Sequence, residues 1–335
     1  MQQAIEKREL MEVEVLGVRL RGTLHRPAQS HSSRPPAGGN QERIAVLFLN
    51  SLALPRAATG DSAVYWADAV AERGYPAYRF DLPGLGDSDG ETTTGLLDFI
   101  NSGGYAEIAA ALTKELSARG HLSGVVIAGH CAGSVSALYA AAGCRQCSGL
   151  VLMDPYFHLP VAKRPRTREL FSDWVRRSAV GKILSHLYDR VRQFRLLLRG
   201  DALPSNANTA LLKRWKHVAA TGLPILMFKA PGIKATASKP RIGEFDYLKH
   251  VLKLAGRRSR VQIKTLEVAD HSFANRVGRE AVCLGIESWL LTNFPLEDLA
   301  TTAVPASPSS FGCKQGNSTM TLRPPSNRDC ALEGR

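Results

Sequence analysis

Short apolar runs recur along the chain, separated by segments of helical periodicity. Residues 44–50 (IAVLFLN), 75–82 (YPAYRFDL), 124–130 (GVVIAGH), 149–154 (GLVLMD), 224–230 (PILMFKA) and 261–269 (VQIKTLEVA) read as strands. Near-continuous apolar runs of this length belong to strands covered on both faces. Between them, apolar residues return at three- and four-residue spacing in 61–73 (Ala63, Trp66, Ala67, Val70), 105–119, 132–142, 245–254 and 276–293 (Val282, Ile286, Trp289, Leu290), which predicts helices. The alternation predicts an α/β fold, a mostly parallel central sheet with helices on both faces. Ahead of it, residues 12–16 and 18–24, joined at Gly17, predict an edge hairpin with one wet face. A polar loop follows over 28–42.

No buried strand appears between 155 and 222. An apolar stripe there (Phe171, Trp174, Val175, Ile183, Leu187, Val191, Phe194, Leu198) lies near helical spacing, so the segment reads as a helical insertion. After Pro295 the chain turns Ser-, Pro- and Thr-rich, with too little apolar surface to offset the entropy of ordering. The expected organisation is a core of 1–157 and 223–298, a basic helical lid of 158–222 and a disordered tail of 299–335.

Charge changes this picture in one place. The 335 residues carry a net charge of +13. Residues 158–222 hold 14 Lys and Arg against 4 acids, a net of +10, so the rest of the chain carries only +3. One reading is a lid whose apolar face covers the core while its charges face water. Another is a lid that guides an anionic acyl donor: a phosphopantetheine arm, coenzyme A or an acidic carrier protein. A third is peripheral membrane contact through a basic amphipathic helix. Nucleic acid is not expected, because no recognition motif or base-stacking aromatic pattern accompanies the charge.

No run approaches the ~18 apolar residues of a membrane-spanning helix, and charges stand where a signal peptide would be apolar. A cytoplasmic protein with free thiols is the expectation. Six cysteines are too sparse for a disulfide scaffold. Cys144 and Cys147 form one CxxC with no second pair, placed after a helix, so no metal site or cofactor is expected.

The candidate chemistry lies in VVIAGHCAGS, residues 125–134. A buried strand runs into Gly129-His130-Cys131-Ala132-Gly133 and straight on into a helix. Small residues two positions either side of Cys131 would let helix and strand cross closely around a turn of positive φ. A thiol at a helix N-terminus is biased toward thiolate. The Ala132 N–H would point to where an oxyanion forms.

This segment resembles the G-x-S-x-G nucleophile elbow of the α/β-hydrolase superfamily, with Cys131 in place of serine. Polyester synthases have a similar GxCxG elbow. The resemblance covers about residues 10–298, and the stretch from Arg56 to Gly90 is similar to the serine aminopeptidase-like and exosortase-associated hydrolase branch. It implies an α/β-hydrolase fold with a base in the loop after the last strand, where LEVADHSF places His271. His130 is expected beside the elbow, taking no proton. The acid is left between two positions. The turn after the post-insertion strand, its usual place, offers only Glu244 and Asp246, whereas Asp154 ends the strand before the insertion. Asp154 is preferred, Asp246 is the alternative, and a Cys–His dyad is a third arrangement. The second oxyanion donor is expected at the N–H of Leu52. Asp81 and Ser88, in DLPGLGDSDG, are expected to hold a turn near the elbow, and Asp270 to point away from it.

The expected activity is acyl transfer from a thioester or ester (thioesterase or acyltransferase), with Cys131, His271 and Asp154 as the catalytic set. The alternatives are a non-catalytic protein that binds an acidic partner through the basic segment, and a simple carboxylesterase.

Overall fold

The computed structural model describes residues 7–27, 43–160, 203–230, 245–267 and 269–296, all within a single unit that spans Met1–Glu297. The tail after 298 and most of the predicted lid, 161–202, lie outside the described residues.

Eight strands form one sheet: β1 (Arg8–Val15), β2 (Val18–His25), β3 (Ile44–Leu49), β4 (Ala77–Phe80), β5 (Gly124–His130), β6 (Cys147–Met153), β7 (Pro224–Lys229) and β8 (Arg260–Thr265). Their order is β1-β2-β4-β3-β5-β6-β7-β8. β1, β2 and β4 pair antiparallel, and β4 through β8 run parallel. The expected edge hairpin is present. β1 starts four residues earlier than its apolar pattern suggests, because its ladder on β2 extends from Val15↔Val18 to Arg8↔His25.

The helices are α1 (Ser62–Glu72), α2 (Leu96–Asn101), α3 (Ala106–Arg119), α4 (Ala132–Ala141), α5 (Thr209–Ala220), α6 (Tyr247–Ala255) and α7 (Arg276–Asn293). Every central strand divides its side chains between two cores, as a pleat of period two requires. Ala45, Leu47, Val125, Ile127, Leu150, Leu152, Ile225 and Met227 pack with residues of α3, α4, α5 and α6. Val46, Phe48, Val126, Ala128, Val151, Met153, Leu226 and Phe228 pack with α1 and α7. Within the predicted insertion, α5 is thus part of a sheet-covering layer, with Leu211, Trp215 and Val218 buried and the Trp215 indole donating to the Val251 carbonyl at 2.7 Å. The short α2 has no counterpart in the sequence expectations.

All six parallel strands, β3 to β8, end on the same side. That edge carries the ends of β5, β6 and β7, and the loops that follow β3 and β8.

Candidate active site

Cys131 sits between β5 and α4 with φ of +51°, in the left-handed region that a side chain rarely adopts. Its neighbours show why the turn is possible. A Cβ on Gly129 would stand 2.2 Å from the Gly133 carbonyl oxygen, and one on Gly133 would stand 2.5 Å from the Asn50 carbonyl oxygen. Only glycine allows the strand, the first turn of α4 and the loop after β3 to meet there. The Cys131 N–H donates to the Met153 carbonyl at 2.8 Å and the Ser134 N–H to the Cys131 carbonyl at 3.0 Å. The buried Ser134 hydroxyl donates to Gly129 at 2.6 Å. Backbone strain is stored at this residue and held by its surroundings.

His271 lies in the loop between β8 and α7. Its backbone is tied down by His130, whose Nε2 lies 2.6 Å from the His271 carbonyl oxygen. A carbonyl only accepts, so that Nε2 carries the hydrogen. Burial pushes the His130 pKa down to about 4, so the ring is neutral around pH 7. Phe273, fully buried, meets the His130 ring edge-on with centroids 5.8 Å apart. The loop's own carboxylate, Asp270, turns aside to accept from the Ser272 N–H at 2.9 Å and the Ser272 hydroxyl at 2.6 Å.

Asp154 follows β6 with φ of +47°, and its N–H donates to the Phe228 carbonyl at 2.8 Å. Its Oδ2 accepts from His271 Nδ1 at 2.5 Å. Its Oδ1 is ion-paired with the Lys229 ammonium. Burial raises the Asp154 carboxyl, but the bonds from His271 and Lys229 outweigh burial and hold it below the ordinary carboxylate range. The bond to Asp154, followed by a hydrogen bond to Cys131, raises His271 to about 10. His271 is therefore hydrogen-bonded to Asp154 on one side and close enough to Cys131 on the other for the thiol to act on its proton, across three loops.

Asp246 is not brought to this group. It caps α6, accepting from the Lys249 N–H at 2.9 Å. The Ala132 N–H is the first of α4, and such groups have no partner within their own helix. The loop after β3 holds Leu52 at φ of +48°, with Asn50 and Ser51 buried beneath it. Asn50 Nδ2 donates to Asp81 at 2.7 Å and to the Leu54 carbonyl at 3.0 Å, and Asn50 Oδ1 accepts from the Leu82 N–H at 2.8 Å. Asp81, fully buried, also takes the Arg56 N–H at 2.7 Å and pairs with its guanidinium. The Ser88 hydroxyl closes the turn by donating to the Asp81 carbonyl at 2.7 Å.

Sequence reasoning missed Lys229. Its one signal was a lysine ending an otherwise apolar strand, PILMFK. The CxxC cysteines are buried free thiols, and burial pushes Cys147 up to about 12, a weakly reactive state. Among the described residues no group of three or more His, Cys, Asp or Glu could hold a metal ion, and no helix is long and apolar enough to cross a membrane.

Solved structures share this architecture at low sequence identity. DcsB, determined in complex with its substrate analogue, is 15% identical with a TM-score of 0.53, over 85% of this chain and 99% of its own. An esterase of Pyrococcus furiosus is 13% identical with a TM-score of 0.54, over 87% and 94%. Est1E of Butyrivibrio proteoclasticus, with ferulic acid bound, is 14% identical with a TM-score of 0.50, over 84% and 98%. No curated protein matches the sequence. The model of the alpha/beta hydrolase family matches residues 46–281, from the third strand through the elbow and the loop of His271, and the chain belongs to that family.

Proposed function

We propose that this protein is an acyl-transfer enzyme that acts on a thioester or ester with Cys131 as nucleophile. The observation that carries the reading is the hydrogen-bonded pair His271–Asp154 brought beside Cys131, which is set on a strained elbow at the carboxyl ends of the strands. His271, raised to about 10, keeps its proton across the neutral range, the state that pairs with a thiolate. The Cys131 sulfur attacks the substrate carbonyl carbon, and the carbonyl oxygen takes up the negative charge. The N–H groups of Ala132 and Leu52 receive that oxyanion. As the tetrahedral intermediate collapses, the imidazolium gives its Nε2 proton to the departing thiol or alcohol. A thioester to Cys131 remains. His271, neutral at that point, takes a proton from water or another acceptor as it attacks, and the Cys131 sulfur leaves. Asp154 keeps the Nδ1 proton in place and stabilises the charged ring.

A cysteine nucleophile favours thioesters, since sulfur displaces sulfur in a nearly balanced exchange. The basic segment within 158–222 suits an acyl donor with an anionic handle, coenzyme A or an acidic carrier protein. The test is mass spectrometry after exposure to a thiol-reactive acyl probe, alongside turnover of acyl-coenzyme A, acyl-carrier and p-nitrophenyl esters. Labelling confined to Cys131 and lost in His271→Ala, with turnover abolished in Cys131→Ala, is expected. Full turnover by Cys131→Ala would overturn the reading. Labelling spread over all the cysteines would favour a non-catalytic protein that binds an acidic partner, and turnover of p-nitrophenyl esters alone a simple carboxylesterase.

A further inference from the structure

Lys229 is the one lysine or arginine bonded to the site's carboxylate among the described residues, and its position is set by the sheet. Its backbone is the last residue of β7. On one side the Phe228 carbonyl receives the Asp154 N–H at 2.8 Å, and on the other the Lys229 carbonyl receives the Leu266 N–H at 2.9 Å. The ammonium thus reaches Asp154 Oδ1 from a strand end locked between its two neighbours, while Oδ2 faces His271. Asp154 is nearly buried, its side chain 10% exposed, so it has little water to share its charge with.

We propose that Lys229 is a positioning residue for the Cys131–His271 pair: acting through Asp154, it keeps the carboxylate ionised, turns Oδ2 toward His271, and balances the site's charge so that a thiolate forms. The inference rests on the acyl-transfer reading above. With Lys229 present, thiolate and imidazolium add to an Asp154–Lys229 pair that is already neutral. Without it, the same site carries a net negative charge, which opposes any further anion. Removing a cation raises the pKa of every group near it. The charged and titratable groups around the pair are Asp154 and Lys229 from the ends of β6 and β7, His130 from the end of β5, Tyr156 and His158 from the segment after β6, and, in the His271 loop, Asp270, whose carboxylate is turned aside onto Ser272. Burial holds His130 and His158 toward their neutral forms, and raises the Tyr156 phenol. None of these supplies a second cation that could replace Lys229.

The test is the pH profile of Cys131 alkylation by iodoacetamide, read at the Cys131 peptide in the full-length chain, for wild type, K229M, K229R, D154N and the D154N/K229M pair. Thermal melts establish folding, and K229Q takes the place of K229M if the latter does not fold. The wild type is expected to react fast well below the ~8.5 of a free thiol. In K229M the midpoint of the acid limb moves up by about one pH unit, K229R restores it, and K229M adds little once Asp154 is already Asn. A folded K229M with the wild-type profile overturns the proposal, as does a K229R variant that behaves like K229M. A wild-type Cys131 that titrates as an ordinary thiol, unchanged in His271→Ala, overturns the acyl-transfer reading as well, so the two failures are distinguishable.

Discussion

His271 holds its proton because the Asp154 carboxylate takes its Nδ1 and the elbow cysteine lies close by. This has a consequence for stability as well as chemistry. The folded value of about 10 lies above the ~6.5 of an unfolded histidine. The associated stabilisation is therefore fully present below about pH 6.5 and is lost as the pH rises toward 10. The melting temperature of the wild type should fall more steeply between pH 7 and pH 10 than that of His271→Ala, so that the two curves converge. Parallel curves would show that His271 gains nothing from its bonds. At this scale the sequence was partly informative. Cys131 announces itself through its glycine neighbours, and His271 through its place after the last strand. The choice between Asp154 and Asp246 stayed open because it depends on which carboxylate faces the ring, and that facing is made by residues 117 positions apart. Lys229, 75 residues from Asp154, had no local signal of partnership.

The elbow is the element in which sequence and site coincide. Gly133 is required there for space, since any side chain would push against the Asn50 carbonyl, which is backbone and cannot turn away. Gly133→Ala should cost about 1–3 kcal/mol, as overpacking of a tight site does, and lower the melting temperature by several degrees. Because the clash falls on the loop that carries Leu52, turnover should fall further than folding loss explains, measured as kcat on protein shown to be folded. A variant with wild-type stability and turnover would mean that the loop yields freely. The other elements were legible in proportion to their length. α7 runs over the predicted 276–293, with a long apolar stripe and Asn275 capping it through the Gly278 N–H at 2.7 Å. α2 escaped notice because six residues are too few to show a helical period.

For the molecule as a whole, charge is the property that the sequence states most plainly. Most of the +13 lies in residues 158–222. If that segment draws in an anionic acyl donor, the attraction must weaken as salt screens it over ~8–10 Å. The KM for an acyl-coenzyme A should rise several-fold between low and high ionic strength, while the KM for a neutral p-nitrophenyl ester changes little. Equal salt dependence for both substrates would remove the guiding role. The alternation of buried strands and amphipathic helices, and the glycine-flanked cysteine between a strand and a helix, were determined by the sequence alone. Each depends on neighbours within one or two turns of chain, where periodicity and local sterics act. The pairing of Asp154 with His271, the capping role of Asp246 and the ion pair from Lys229 were decided only by the tertiary structure. They depend on the sheet order that sets the ends of β5, β6 and β7 side by side, and no local pattern encodes which strand ends become neighbours.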